Sequence, residues 1–393
     1  MSISTTRSAS SLRTRATIVA AARTLFPARG IGGTSLRDVS AAAGMSHPGL
    51  LKHFPTKGDL LRAMATDIDV AADRALTEDG RPGDGLADAA GLLSEVDGFD
   101  AMSVLLGVTG PGIEPAGALL VARRLQTVER FAPAESGEVE RSVHDLAMWS
   151  GLQMVAQYLP ELAPLAQFLR EPKPGDVPAP RWVSGYDKLS SIPQVAGTDT
   201  EGYVKGRHMR QQILIDATEQ FTRNGYHGVS VRDLAASVGV SASTLLHHFG
   251  SKERLLTAVL RRRDELLAGR GEEVQRGNAA GELAGLGSEA RRDAREEPGL
   301  IELYAVLTSE AASPTHPAHP FLAERYRRTI AYFTSRLQEY LRASSAHESG
   351  QLWREAVRLV ALWDGLQVRA LRSGTLDEVG AHLDAHMGRL LSR

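Results

Sequence analysis

Residues 221–256 read FTRNGYHGVSVRDLAASVGVSASTLLHHFGSKERLL, and the spacing in this stretch decides the fold. Just upstream, Ile213, Leu214 and Ala217 fall with Phe221 on one face at helical spacing. Asn224-Gly225 ends that helix, since both residues tolerate the left-handed conformation of a C-cap. Ser230-Val-Arg-Asp233 is a capping box, with a hydroxyl at the N-cap and a carboxylate three residues on. The short helix that follows offers Val231, Leu234, Ala235 and Val238 for burial, and Gly239 allows a tight turn. Ser241 caps the next helix, whose Leu245 and Phe249 face inward, and Ser251-Lys252 opens a fourth with Leu255, Leu256 and Val259. Two short helices joined by a glycine-containing turn form a helix-turn-helix, whose second helix suits the major groove of a duplex.

The same unit occurs earlier in the chain. Phe26, Gly30, Gly33, Ser35, Arg37, Asp38, Ala41, Gly44, Ser46, Leu50, Leu51, His53, Phe54, Lys57, Leu60 and Leu61 all recur, type for type, 195 positions later. Residues 14–64 and 209–259 are therefore copies of one module. A weaker echo follows at an offset of 214, where Trp149-Ser-Gly151-Leu-Gln153 resembles Trp363-Asp-Gly365-Leu-Gln367. The duplicated unit thus extends beyond the first module. Between the halves, Glu171 to Gly206 is rich in Pro, Gly and Ser, lacks helical periodicity and is expected to be a linker, with the region of Trp182 and Tyr186 packed on a domain surface.

The pattern from Phe221 through Gly225-Tyr226, Ser230-Val-Arg-Asp-Leu-Ala235, Gly239-Val-Ser241, Thr244-Leu245, His248-Phe249 and Ser251-Lys252 to Leu255-Leu256 resembles the N-terminal DNA-binding domain of the TetR family, and the first copy shares it. The resemblance implies an all-α protein of two such units, each a three-helix DNA-binding head followed by a helical domain that binds a small molecule and dimerises. It implies this division: a first head with a basic arm over 1–61, a first regulatory domain over 62–170, a linker over 171–206, a second head over 207–256 and a second regulatory domain over 257–393. Two departures stand out. Leu51 and Leu246 occupy a position where many family members carry a tyrosine that touches the DNA backbone. The first copy also has Pro48-Gly49 where the second has Ser243-Thr244. Proline is tolerated in a first helical turn, but glycine beside it costs about 1 kcal/mol of helix stability relative to alanine.

Composition is ordinary for a folded globular chain: of 393 residues, 42% are hydrophobic and 23% charged, a size that suits two to four domains. The absence of cysteine excludes disulfides, thiolate metal sites and a cysteine nucleophile, and fits the cytoplasm. Neither a membrane-spanning run nor a secretory signal is expected. The net charge of −2 says nothing of nucleic acid, but its distribution does. Arg7, Arg13, Arg15, Arg23, Arg29 and Arg37 all precede the first acidic residue, Asp38, as in an arm that faces a polyanion.

Exposed positions of the recognition helices supply the expected DNA contacts. In the first copy these are Ser46, His47, Lys52 and His53, and in the second Ser241, Ala242, Ser243, Thr244, His247 and His248. Thr244 and His247 are expected at base edges or nearby phosphates, and His53 and His248 at phosphate. Lys57 and Lys252 open the fourth helices, where a cation and free N–H groups can hold a phosphate together. Arg37 and Arg232 either clamp the backbone or pair with Asp38 and Asp233. By the family's pattern, Val139–Tyr158 and Gln351–Leu371 are association helices, and Phe99, Trp149, Tyr304, Tyr332 and Trp363 are pocket or core residues. His316-Pro-Ala-His319 lacks a third ligand at useful spacing, and no nucleotide-binding loop, nucleophile elbow or zinc-protease motif occurs, so neither a metal, another cofactor nor catalysis is expected. The expected function is that of a ligand-released repressor whose fused units form an intramolecular pseudo-dimer on an imperfect palindrome in double-stranded DNA. The alternatives are a homodimer of the fused chain with four heads, an architectural DNA-binding protein without an effector, or a regulator in which only the second head binds DNA.

Overall fold

A computed structural model describes residues 2–78, 138–166, 178–184, 204–271, 278–343 and 352–392. Helices account for nearly all of them, and no strand occurs among the described residues. No described helix is long and apolar enough to cross a membrane. Phe99 and Tyr186 lie outside the described residues.

Two compact units divide the chain. Of the described residues, the first takes 2–78, 138–146 and 309–319; the second takes 147–166, 178–184, 204–271, 278–308, 320–343 and 352–392. Each contains one copy of the repeated module.

In the first unit, helices run over Ser2–Arg29, Leu36–Ala42, His47–Leu51 and Lys57–Glu78. Ile18, Ala22 and Phe26 of the first helix meet Val39, Leu50, Phe54, Leu60 and Leu61 in the core, each essentially inaccessible to water. The matching helices of the second unit are Val204–Asn224, Val231–Val238, Ala242–Phe249 and Lys252–Gly271. Their buried set is the first one moved by 195 positions: Ile213, Ala217, Phe221, Leu234, Leu245, Phe249, Leu255 and Leu256. Both capping boxes form. The backbone N–H groups of Ser35 and Ser230 donate to Asp38 and Asp233 at 2.8 and 2.9 Å, and each serine hydroxyl accepts from the aspartate N–H at 3.2 Å. The turn between the two short helices needs a left-handed residue, which Gly44 and Gly239 provide with φ of 67° and 77°.

The rest of the second unit is built from Ala279–Glu296, Pro298–Glu310, His319–Ala343, Leu352–Ser373 and Glu378–Leu391, together with the end of Glu138–Tyr158. Here the second sequence echo becomes geometry. A Cβ placed on Gly151 would lie 1.8 Å from the Ala361 carbonyl oxygen, and one on Gly365 would lie 1.8 Å from that of Ala147. Ala147 is four residues before Gly151, and Ala361 four before Gly365, so one helical turn meets its own counterpart reciprocally. Only glycine permits backbones this close. Within the second unit, Trp182 donates from Nε1 to Glu161 Oε1 at 2.9 Å. Within the first unit, the Ser313 and Thr315 hydroxyls both donate to the Ala28 carbonyl, at 2.9 and 3.2 Å.

Candidate nucleic-acid interface

The recognition helix of the second unit, Ala242–Phe249, is amphipathic, with Leu245 and Phe249 buried beneath it and Ser243, Leu246 and His247 exposed. Ser241 caps it by accepting from the Thr244 N–H at 3.0 Å. The Ser241 hydroxyl also lies 2.7 Å from that of Ser243 and 2.8 Å from that of Thr244. Three hydroxyls thus cluster at the start of the helix. Further along, the His247 and His248 rings sit edge-on at 5.8 Å. Burial holds the His248 imidazole below its ordinary pKa, helped by the charges of His247 and Arg210.

The first unit differs at the same place. Its recognition helix is only His47–Leu51, capped by Ser46 accepting from the Gly49 N–H at 3.2 Å. Leu50 and Phe54 are buried, while Lys52 is exposed and His47 and His53 are half-buried. Arg37 and Arg232, near the start of the preceding helices, are exposed in both units, and their neighbours Asp38 and Asp233 are engaged in the capping boxes. Hydrogen bonds from the Ser35 and Ser230 side chains, then from the same serines' backbone N–H groups, hold both carboxyls below the usual range.

The two lysines that open the fourth helices are turned toward their own domains. Lys57 Nζ donates to the Ile31 carbonyl at 2.6 Å, and burial depresses its pKa. Lys252 Nζ stands 4.1 Å over the ring of Tyr226, the counterpart of Ile31. Each lysine ties its helix to the turn after the first helix, so a phosphate at this position would have to compete with that tie. A third repeated cation pair joins Arg15, expected from the sequence to face a polyanion, with Arg210, not singled out from the sequence. Arg15 lies 4.2 Å over the Phe54 ring and donates to the His53 carbonyl at 2.7 Å, and Arg210 lies 5.0 Å over the Phe249 ring. The signal was present, because Arg15 and Arg210 are also separated by 195. These arginines bolt the first helix to the end of the recognition helix.

The residues expected to be pocket or core are spread through the helical remainder. Trp149 is fully buried, Trp363 partly, and Tyr332 is half-buried beside Phe333 with ring centroids 5.4 Å apart. Tyr304 sits in a buried polar cluster of the second unit. Arg263 and Arg325 stack on its ring at 4.2 and 4.5 Å, and Arg325 Nη1 donates to its hydroxyl at 2.9 Å. Both arginines bond to Asp264 Oδ1, at 2.8 and 3.1 Å. Burial pushes the Asp264 carboxyl up, but the two guanidiniums outweigh it and hold the group below the usual range. Nearby, Tyr326 donates to Asp364 Oδ2 at 2.5 Å and stacks on Tyr158 with ring centroids 5.2 Å apart. Burial raises the Asp364 carboxyl. His316 and His319 are used locally: His316 Nδ1 accepts from the Ala318 N–H at 3.1 Å, and His319 Nδ1 bonds the Ala311 carbonyl at 2.8 Å.

The family model described as "Bacterial regulatory proteins, tetR family" matches residues 18–64 and again 213–259. The chain is 44% identical over 52 residues to the HTH-type transcriptional repressor AcnR of Corynebacterium efficiens, which is 13% of this chain and 28% of that protein. It is 43% identical over 51 residues to the HTH-type transcriptional regulator UidR of Escherichia coli K12, covering 13% and 26%. It is 44% identical over 61 residues to the HTH-type transcriptional activator FasR of Mycolicibacterium smegmatis, covering 15% and 28%. The matches therefore span under a third of these relatives' own length. Among solved structures, that of the ketosteroid transcriptional regulator KstR2 of Mycobacterium tuberculosis is 23% identical, with a TM-score of 0.36, covering 48% of this chain and 96% of the other. Through its two matched segments the chain carries the N-terminal module of the TetR family twice in tandem.

Proposed function

We propose that this protein is a cytoplasmic transcription regulator whose two heads grip one double-stranded DNA operator as an intramolecular pseudo-dimer, and that a small-molecule effector held by the helical remainder releases it. The working division is 1–61 and 207–256 for the heads, 62–170 and 257–393 for the regulatory parts and 171–206 for the linker. The observation that carries the reading is the reciprocal glycine contact. A helix of the first copy and its counterpart of the second meet through the same turn, Gly151 on Ala361 and Gly365 on Ala147, as two subunits of a symmetric dimer would meet. Covalent linkage replaces bimolecular association with a high effective concentration. The effector acts only through its different affinity for the bound and released states. Outward-facing Arg37, Lys52, Arg232, Ser243 and His247 support DNA as the partner.

Sedimentation and footprinting together test the proposal. The expected species is a 42.3 kDa monomer that protects two adjacent segments in DNA flanking its own coding region, at a stated salt concentration. A mass of twice the chain overturns intramolecular pairing, and no protection on any duplex overturns the regulator reading. Replacing Gly365 by leucine is expected to open the seam and cost about 3 kcal/mol of stability by overpacking, read from chemical denaturation.

A second reading, in which only the second head binds, draws on the short helix His47–Leu51. A footprint limited to one half-site would establish it.

A further inference from the structure

The two heads share a core and some exposed residues, Arg37 and Arg232 among them, but differ along the recognition helix, and the differences have a pattern. Reading bases needs short donors and acceptors held at fixed positions on the groove-facing side of a helix. The second recognition helix has them, with the Ser241–Ser243–Thr244 hydroxyl cluster at its start and His247 one turn on. At the matching positions the first head has Pro48, Gly49 and Lys52 in place of Ser243, Thr244 and His247. Proline and glycine side chains carry no hydrogen-bonding group, and lysine is a flexible point charge.

Charge runs the other way. Residues 14–64 contain seven Lys and Arg against two Asp, while residues 209–259 contain five Lys and Arg against four Asp and Glu. The acidic side chains of the second head include Glu219 and Glu253, both exposed. In the first head the equivalents of Asp216 and Glu219 are Ala21 and Thr24. The asymmetry is confined to the three-helix heads and the start of the fourth helix. Further along that helix it reverses, with Asp67 and Asp69 in the first copy against Arg262 and Asp264 in the second.

We infer that the heads divide the work: the second reads the sequence through Ser243, Thr244 and His247, and the first grips the phosphate backbone through Arg37 and Lys52 with little base preference. The inference rests on the reading above that both heads engage one duplex. An operator for this protein then has one half-site that is specified base by base and a neighbouring one that is nearly free in sequence. The first head adds affinity and salt dependence, and the second adds discrimination.

The test uses the full chain. A duplex is selected from a random pool, each base pair is then substituted, and binding is followed over a salt series with hydroxyl-radical protection. The expected result is backbone protection over two segments, with base substitutions costing roughly five- to a hundredfold in one segment and under about twofold in the other. Arg37→Gln with Lys52→Gln, both at exposed positions, should weaken binding to all sequences alike and flatten the salt slope by about 0.9 for each lost contact. Ser243→Ala with Thr244→Ala and His247→Ala should erase the base preference and leave that slope nearly intact. Equal base dependence in the two segments overturns the inference, and so does protection of one segment only. Binding to no duplex at all overturns both this inference and the function on which it rests.

Discussion

The two copies of the module are nearly superimposable in what they bury and unlike in what they expose or add. Positions 18, 22, 26, 50, 54, 60 and 61 find the same residue types buried 195 places later. Yet Ile68, fully buried in the first copy, corresponds to Arg263, which is buried in the second against Asp264, Arg325 and Tyr304. Duplication has preserved the apolar contacts that fold a head, together with its caps and a few surface residues such as Arg37 and Arg232, and has let much of the rest change. The difference teaches that a head's stability and a head's specificity sit on separate faces of the same helices.

The largest expected effect breaks this comparison at its most divergent point. Asp264→Ala leaves the buried Arg263 and the part-buried Arg325 without their shared carboxylate and should cost about 3–5 kcal/mol, whereas Asp69→Ala, at the same place in the first copy, should cost much less. Chemical denaturation of both variants checks this, and equal losses would mean that the cluster is not a special feature of the second copy. Phe54→Ala and Phe249→Ala should be costly and alike, about 3–5 kcal/mol each, since each ring fills the same core position beneath an arginine. A large difference between them would show that the shared core is not equally packed.

Smaller effects sharpen the comparison. Ser35→Ala and Ser230→Ala each remove an N-cap and should cost about 1 kcal/mol, equally in both heads. The capping aspartates are held below their ordinary pKa in the folded chain, so their stabilisation is full above pH 3.8 and is lost as the pH falls through the depressed value. The smallest effect belongs to His248. Its folded-state pKa is lowered, so its contribution is present above the ordinary 6.5 and lost as the pH falls below it. Thermal denaturation between pH 7.5 and 5.5 should show a drop that His248→Gln reduces. An unchanged pH profile in that variant would assign the effect elsewhere.

Much of the interface was legible in the residues themselves. Both capping boxes, the left-handed glycine of each turn and the inward Leu and Phe of each recognition helix are local features, set by neighbours three or four positions away. The exposure of Arg37, Lys52, Ser243 and His247 follows from the same periodicity. The inward turn of Lys57 and Lys252 was not legible. Both look like free cations at a helix start, and only the fold brings the Ile31 carbonyl and the Tyr226 ring beneath them. Arg15 reads as a member of a basic stretch, and only the fold places Phe54 beneath it, as it places Phe249 beneath Arg210.

By itself the amino-acid order determined that there are two helix-turn-helix heads, which faces they bury and how their helices start and turn, because backbone hydrogen bonds and apolar periodicity act over a few residues. It hinted through the Trp-x-Gly-Leu-Gln echo that the copies extend further, but not what the echo was for. Tertiary structure alone decided that Gly151 and Gly365 lie against Ala361 and Ala147, that Arg263 and Arg325 share one buried carboxylate, and which cations remain turned outward. Apart from the adjacent Arg263 and Asp264, these are pairings between groups tens to hundreds of residues apart. Such partners are selected by shape and desolvation in the folded core, which no local pattern records.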